Sequence, residues 1–131
     1  MSWEDHNALC IAGNLPALLS RLELEDHPVE REVFYIASFN MTYRGHPEVA
    51  IEIARRYIDE FSRDPFPFRP NSKPDNKVLK QLALLYEYEG EFDWAIWACQ
   101  VALHFGITDD GTKKGFAGRI AKLQKTKERN D

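Results

Sequence analysis

The sequence predicts an all-α fold, a right-handed stack of antiparallel helix pairs with about seven helices and a C-terminal capping helix. Three observations lead there. Apolar residues recur at three- and four-residue spacing through most of the chain. No Asn-Gly or Asp-Gly turn lies between alternating apolar runs, so strand signals are weak. Glycine and proline fall at intervals that suit short helices and tight turns.

The elements follow in order. Ala8, Leu9, Ile11 and Ala12 precede Gly13-Asn14, and Leu15, Leu18, Leu19 and Leu22 then repeat on one helical face. Pro16 suits the first turn of that second helix. This N-terminal pair, 1–27, closes at His27-Pro28, because the residue before proline is pushed out of the α region. The spacing predicts the next helix from about Glu30 to Tyr43, with Val33, Phe34, Ala37 and Met41 as its apolar stripe. Arg44-Gly45-His46 is a turn, and Pro47 opens a helix whose face carries Ala50, Ile53, Ala54, Tyr57, Ile58 and Phe61.

Pro65, Pro67, Pro70 and Pro74 break any helix between 62 and 74. Phe66 and Phe68 interleave with them. This reads as an irregular connector whose aromatics fold back onto the body, with a lid or recognition loop as the alternative. Asp75 is a good N-cap for a helix bearing Val78, Leu79, Leu82, Ala83, Leu85 and Tyr86. After a turn at Gly90 comes a helix with Phe92, Ala95, Ile96, Cys99, Ala102 and Leu103, ended by Gly106. Phe116, Ile120 and Leu123 mark a basic capping helix at 111–128. Gly115 and Gly118 flank Phe116 and suggest close helix–helix approach there.

The composition bounds the rest. A chain of 131 residues fits one domain, 1–131. With 44% hydrophobic and 29% charged residues it belongs with folded rather than disordered chains. Cys10 and Cys99 lie far apart inside apolar patterns, which predicts buried free thiols and a reducing, cytoplasmic setting. The acidic, polar start is no signal peptide, and no run is long enough to span a bilayer, so no membrane association is expected. The net charge of −4 is unevenly spread. Residues 1–111 hold 10 Lys/Arg against 19 Asp/Glu, giving −9, whereas 112–131 hold 7 against 2, giving +5.

Leu79, Leu82, Ala83, Tyr86, Gly90, Phe92, Ala95, Ile96, Cys99, Ala102 and Leu103 together resemble one tetratricopeptide repeat. Ala83, Ala95 and Ala102 stand at its small positions, Tyr86 at the first-helix aromatic and Gly90 at the turn. Cys99 replaces a larger residue and Ile107 a frequent proline. The best repeat is 75–106. A degenerate one, 30–61, places Phe34, Ala37, Ser38, Met41, Gly45, Ala50, Ala54 and Tyr57 at corresponding points. The resemblance implies a non-catalytic module that binds a protein or peptide partner in a groove lined by the first helix of each pair. The implied groove residues are Tyr35, Phe39, Tyr43, Lys77, Lys80, Leu84 and Tyr88, with Glu32, Thr42 and Glu87 beside them. Aromatics next to lysines suit an extended acidic peptide. Phe39 and Leu84 stand where the family's carboxylate clamp has asparagines. The alternative is that the connector or the N-terminal pair covers these aromatics.

Other constellations are weaker. Trp94 and Trp97 lie toward the outer face of their helix. Either the terminal helix or a second copy of the chain is expected to cover them, leaving monomer and homodimer both open. Lys113, Lys114, Arg119 and Lys122, with Lys125, Lys127 and Arg129 further along, form a basic surface for an anion or nucleic acid, the second functional class considered, with a solvated terminal helix as the plain reading. Gly106–Lys113 mimics a phosphate loop, but its order is wrong and Asp109-Asp110 would repel phosphate. His6 and Cys10 have a zinc-compatible i, i+4 spacing without two further ligands. No metal, cofactor or catalytic group is expected.

Overall fold

The computed structural model describes residues 2–130, so the end positions of the expected domain, Met1 and Asp131, lie outside the described residues. Among the described residues there are seven α-helices and no strand: α1 Trp3–Ala12, α2 Leu15–Leu24, α3 Pro28–Thr42, α4 Pro47–Glu60, α5 Asn76–Tyr88, α6 Phe92–His104 and α7 Gly115–Asn130. They fall into two compact units, Met1–Lys73 and Pro74–Asp131, divided at the end of the proline-rich connector.

In the first unit, capping residues set the helix ends. Ser2 Oγ accepts from the Asp5 amide at 3.2 Å, and Asn14 Oδ1 accepts from the Ala17 amide at 3.2 Å. Gly13 ends α1 in the left-handed region, φ 63°. A Cβ there would stand 2.5 Å from Nδ1 of His46, whose Nε2 lies 2.8 Å from the Ile11 carbonyl oxygen. Position 13 therefore needs glycine for its backbone and for this contact. Helix α3 begins at Pro28, earlier than Glu30. His27 caps it, and a proline at the first helical position loses no hydrogen bond.

The buried face of α3 matches the expected stripe at Phe34 and departs from it at Val33 and Met41. Phe34, Tyr35, Ser38, Phe39 and Thr42 are buried, while Val33 and Met41 are 44% and 39% exposed. Helix α3 packs on α1, α2 and α4. Its buried hydroxyls are satisfied, since Thr42 Oγ1 donates to the Ser38 carbonyl at 2.7 Å and Ser38 Oγ lies 3.3 Å from His6 Nε2. Helix α4 buries Ala50, Ile53, Ala54, Tyr57 and Ile58, all on the face the spacing marks.

Phe68 of the connector is buried at 5.8 Å from Tyr57, 6.2 Å from Tyr35 and 4.9 Å from Phe61, measured between ring centroids. The connector thus folds back through Phe68, whose burial contributes about 1.5–3 kcal/mol by removing its surface from water, while Phe66, also expected to fold back, stays 39% exposed at 5.9 Å from Phe61. Two ion networks close the same unit. Glu60, 3% exposed, takes both Arg31 and Arg63. Arg31 also donates to the carbonyls of Leu22 and Glu25 at the end of α2. Glu32, also buried, accepts from Ser72 at 2.7 Å and pairs with Arg69 at 3.6 Å.

In the second unit, Asp75 Oδ1 accepts from the Val78 amide at 3.0 Å and starts α5. Helix α5 packs on α6, where Ala83, Ala95, Ala98, Cys99 and Ala102 are all buried. These small side chains let the two backbones approach. Gly106 ends α6: its amide donates to the Leu103 carbonyl at 2.9 Å, and that of Ile107 to Ala102 at 2.8 Å.

Helix α7 packs on α6 and buries Phe116 and Leu123. It starts at Gly115, not at 111, because residues 108–114 are held as a loop. Gly115 has φ 64°, and a Cβ on it would lie 2.3 Å from the Thr108 carbonyl oxygen. At Gly118 a Cβ would meet that of Lys114 at 2.2 Å. The two glycines serve the loop and the lysine beside it, instead of the expected approach of two helices.

Candidate functional site

The residues expected to line one groove divide sharply by burial. Tyr35 and Phe39 are 4% and 1% exposed, so they are core residues and not groove walls. Tyr35 lies 5.5 Å from Tyr57 and has Arg31 over its ring. Burial first, and then the Glu60 carboxylate, push its hydroxyl well above the usual phenol range. Phe39 stacks on Tyr43 at 5.6 Å, and Tyr43, half-buried, has the Arg44 guanidinium over its ring. Glu32 and Thr42 are buried as well. The alternative reading holds at these positions: the N-terminal helices α1 and α2 pack on α3, and Phe68 of the connector packs against Tyr35.

The α5 residues behave differently. Lys77 is exposed, Lys80, Leu84 and Glu87 are half-buried, and Tyr88 is 93% exposed. Lys77, Lys80, Leu84 and Tyr88 recur at i, i+3, i+7 and i+11, one stripe along the helix. The opposite stripe, Val78, Leu79, Leu82, Ala83 and Tyr86, is buried.

Trp94 is 40% exposed and stacks on Tyr86 at 6.0 Å, with Trp97 edge-on at 5.6 Å. Trp97 is half-buried. Lys127 of α7 pairs with Asp93 at 2.7 Å, which brings the end of α7 beside the start of α6.

The loop before α7 is organised by Asp110, 3% exposed. It accepts from the Thr112 amide at 2.8 Å, from the Thr112 hydroxyl, and from Arg119 Nε at 2.8 Å. Burial alone would raise this carboxyl, but the Thr112 and Arg119 hydrogen bonds outweigh it and hold the pKa below the ordinary value. Arg119 is therefore engaged with Asp110 and is not a free anion contact. Asp109 Oδ1 accepts from the Gly111 amide at 2.7 Å. These turns are the role of the stretch that mimics a phosphate loop.

Beside this loop lies a hollow of about 560 Å³. Lys113, Lys114, Lys122, Lys125 and Arg119 stand around it, with Gly118 and Ala121 on its floor. Gly118, Lys122 and Lys125 fall on the face of α7 opposite Phe116, Ile120 and Leu123. Among the described residues none of these four lysines is in an ion pair.

His6 and Cys10 are both fully buried, with His6 Nε2 at 3.5 Å from Cys10 Sγ. Trp3 and Phe34 pack edge-on to the imidazole. Burial, and then the charge of Arg21, lower the His6 pKa. Burial raises that of the Cys10 thiol and pushes Cys99 up to about 11. Both cysteines are free, as expected, and both are poor thiolates. Among the described residues no group of three or more His, Cys, Asp or Glu side chains is placed to hold a metal ion. Nor is any helix among them long and apolar enough to cross a membrane.

No family model, curated protein or solved structure matches the chain.

Proposed function

We propose that the chain is a non-catalytic interaction module of tetratricopeptide type, which takes a protein or peptide partner on the exposed stripe of α5. The right-handed stacking of helix pairs found in such repeats is part of this reading. So is a reducing, cytoplasmic setting, which suits two buried free thiols. The observation that carries the proposal is Tyr88. A tyrosine 93% exposed at the end of a helix, in line with Lys77, Lys80 and Leu84, is an aromatic anchor beside cations. An acidic, extended segment matches that chemistry.

Affinity capture tests it. Immobilised wild-type chain is compared with a Lys77→Glu/Lys80→Glu/Tyr88→Ala variant in the same lysate. The reading requires at least one protein retained by the wild type and lost by the variant. Identical retained sets sink it.

A further inference from the structure

We propose that the hollow beside α7 binds a ligand carrying two or more phosphate groups. It is a separate site from the α5 stripe, and the inference does not depend on that stripe having a partner.

The argument starts from charge. Residues 111–127 contain six basic side chains and no acidic one. Four of the lysines, Lys113, Lys114, Lys122 and Lys125, surround one concavity. Lys122 and Lys125 are one turn apart, where like charges repel. Nothing in the described protein neutralises them. Arg119 and Asp110, the one ion pair in the wall, cancel each other, and the Asp110 oxygens are taken up by Thr112 and Arg119. Asp110 thus offers little repulsion to an incoming anion. Arg119 meets it through Nε, which leaves its two terminal nitrogens outside that bond.

Shape then narrows the ligand. Lys125 lies eleven positions beyond Lys114, about 16 Å at the helical rise per residue. A single carboxylate or phosphate would reach one end of that row only. Two or more linked phosphates would meet lysines from both ends, with the positive N-terminal end of α7 adding to the field. Gly118 keeps the floor low, since a side chain there would collide with Lys114. Among the described residues no aromatic ring lines the hollow, so nothing offers a stacking platform for a nucleobase. Recognition is of phosphate alone. A free oligophosphate and a nucleic-acid backbone both present that chemistry.

Calorimetric titration of the full chain at low salt tests the site, with inorganic tripolyphosphate in one arm and a short single-stranded oligothymidylate in the other. Lys114→Glu/Lys122→Glu is compared with a charge-matched control, Lys73→Glu/Arg129→Glu, outside the hollow. Circular dichroism checks that each variant is folded, and Lys114→Gln/Lys122→Gln replaces the first variant if it is not. The expected result is saturable binding in at least one arm, weakened about tenfold or more by the hollow variant and little changed in the control. Saturation by tripolyphosphate identifies a free oligophosphate, and saturation by oligothymidylate alone identifies a nucleic-acid backbone. Absence of binding in both arms overturns the proposal. So does an equal loss in the control, which would reduce the effect to net charge.

Discussion

Helices α3 and α5 each pack on the helix that follows them in the chain, α4 and α6, and they use their surfaces in opposite ways. Helix α3 packs on α1, α2 and α4, with Tyr35 further enclosed by Phe68 from the connector. Helix α5 buries one stripe and leaves Lys77 and Tyr88 in water. The difference teaches that an aromatic's role is set by how many neighbours its helix has. Tyr35 and Tyr88 are the same residue type, one part of the core and the other almost fully exposed.

The largest test of that contrast is Phe39→Ala. Phe39 is 1% exposed, and truncating a buried phenylalanine should cost about 4 kcal/mol. Urea denaturation followed by circular dichroism measures it. A loss below about 1 kcal/mol would mean that α3 keeps an open face after all.

Phe68→Ala should come next, at about 3 kcal/mol, because the ring fills a cluster with Tyr35, Tyr57 and Phe61. Limited proteolysis adds a second readout. The connector should be cut faster in the variant than in the wild type. Equal cutting rates would contradict its role as a packing element and return it to the status of a loose loop.

These two residues also show where the sequence was legible. The number and order of the helices were, since Gly13-Asn14, His27-Pro28, Pro47, Asp75, Gly90 and Gly106 mark breaks through local chemistry, while the start of α7 at Gly115 was not. The face of α3 was not. Val33 and Met41 look like core residues by spacing, yet Ser38, Thr42 and Glu32 are buried in their stead. Ser38 and Glu32 find partners at a distance, Ser38 Oγ beside His6 Nε2 and Glu32 Oε1 accepting from Ser72, and no local pattern encodes such partners. The basic stretch ahead of the C-terminus was visible as charge. That Arg119 turns inward to Asp110 depends on a loop geometry that charge alone does not disclose.

In the second unit, Asp110→Ala removes the carboxylate that holds Thr112 and Arg119. It leaves a guanidinium only 12% exposed without its partner, and the expected loss is about 2–3 kcal/mol. Thermal unfolding measures it, and a loss under about 0.5 kcal/mol would show that the loop is held by other means. The low Asp110 pKa sets the pH dependence. A carboxyl depressed in the fold gives stability that is present above its unfolded value and is lost as acid protonates it.

His6 supplies the opposite kind of group, a base kept neutral. Its folded pKa lies below the unfolded value of 6.5, so below about pH 6.5 the unfolded chain takes up a proton more readily. Stability should therefore be flat above that pH and decline beneath it. Urea midpoints between about pH 8 and pH 5 should fall less in His6→Phe than in the wild type. Parallel curves would mean that the imidazole accepts a proton where it stands.

The smallest expected effect is on the other side of the comparison. Tyr88→Ala should change stability by less than about 0.5 kcal/mol, since the ring is 93% exposed and little of it is buried. The measurement is the same urea curve used for Phe39→Ala. A stability loss above about 1 kcal/mol would show that Tyr88 is a structural residue, and the contrast between α3 and α5 would then fail at its clearest point. A near-silent stability change combined with lost capture of a protein partner would place the energetic role of Tyr88 outside the fold. Stability and capture together thus separate an anchor from a packing residue, which exposure alone does not do.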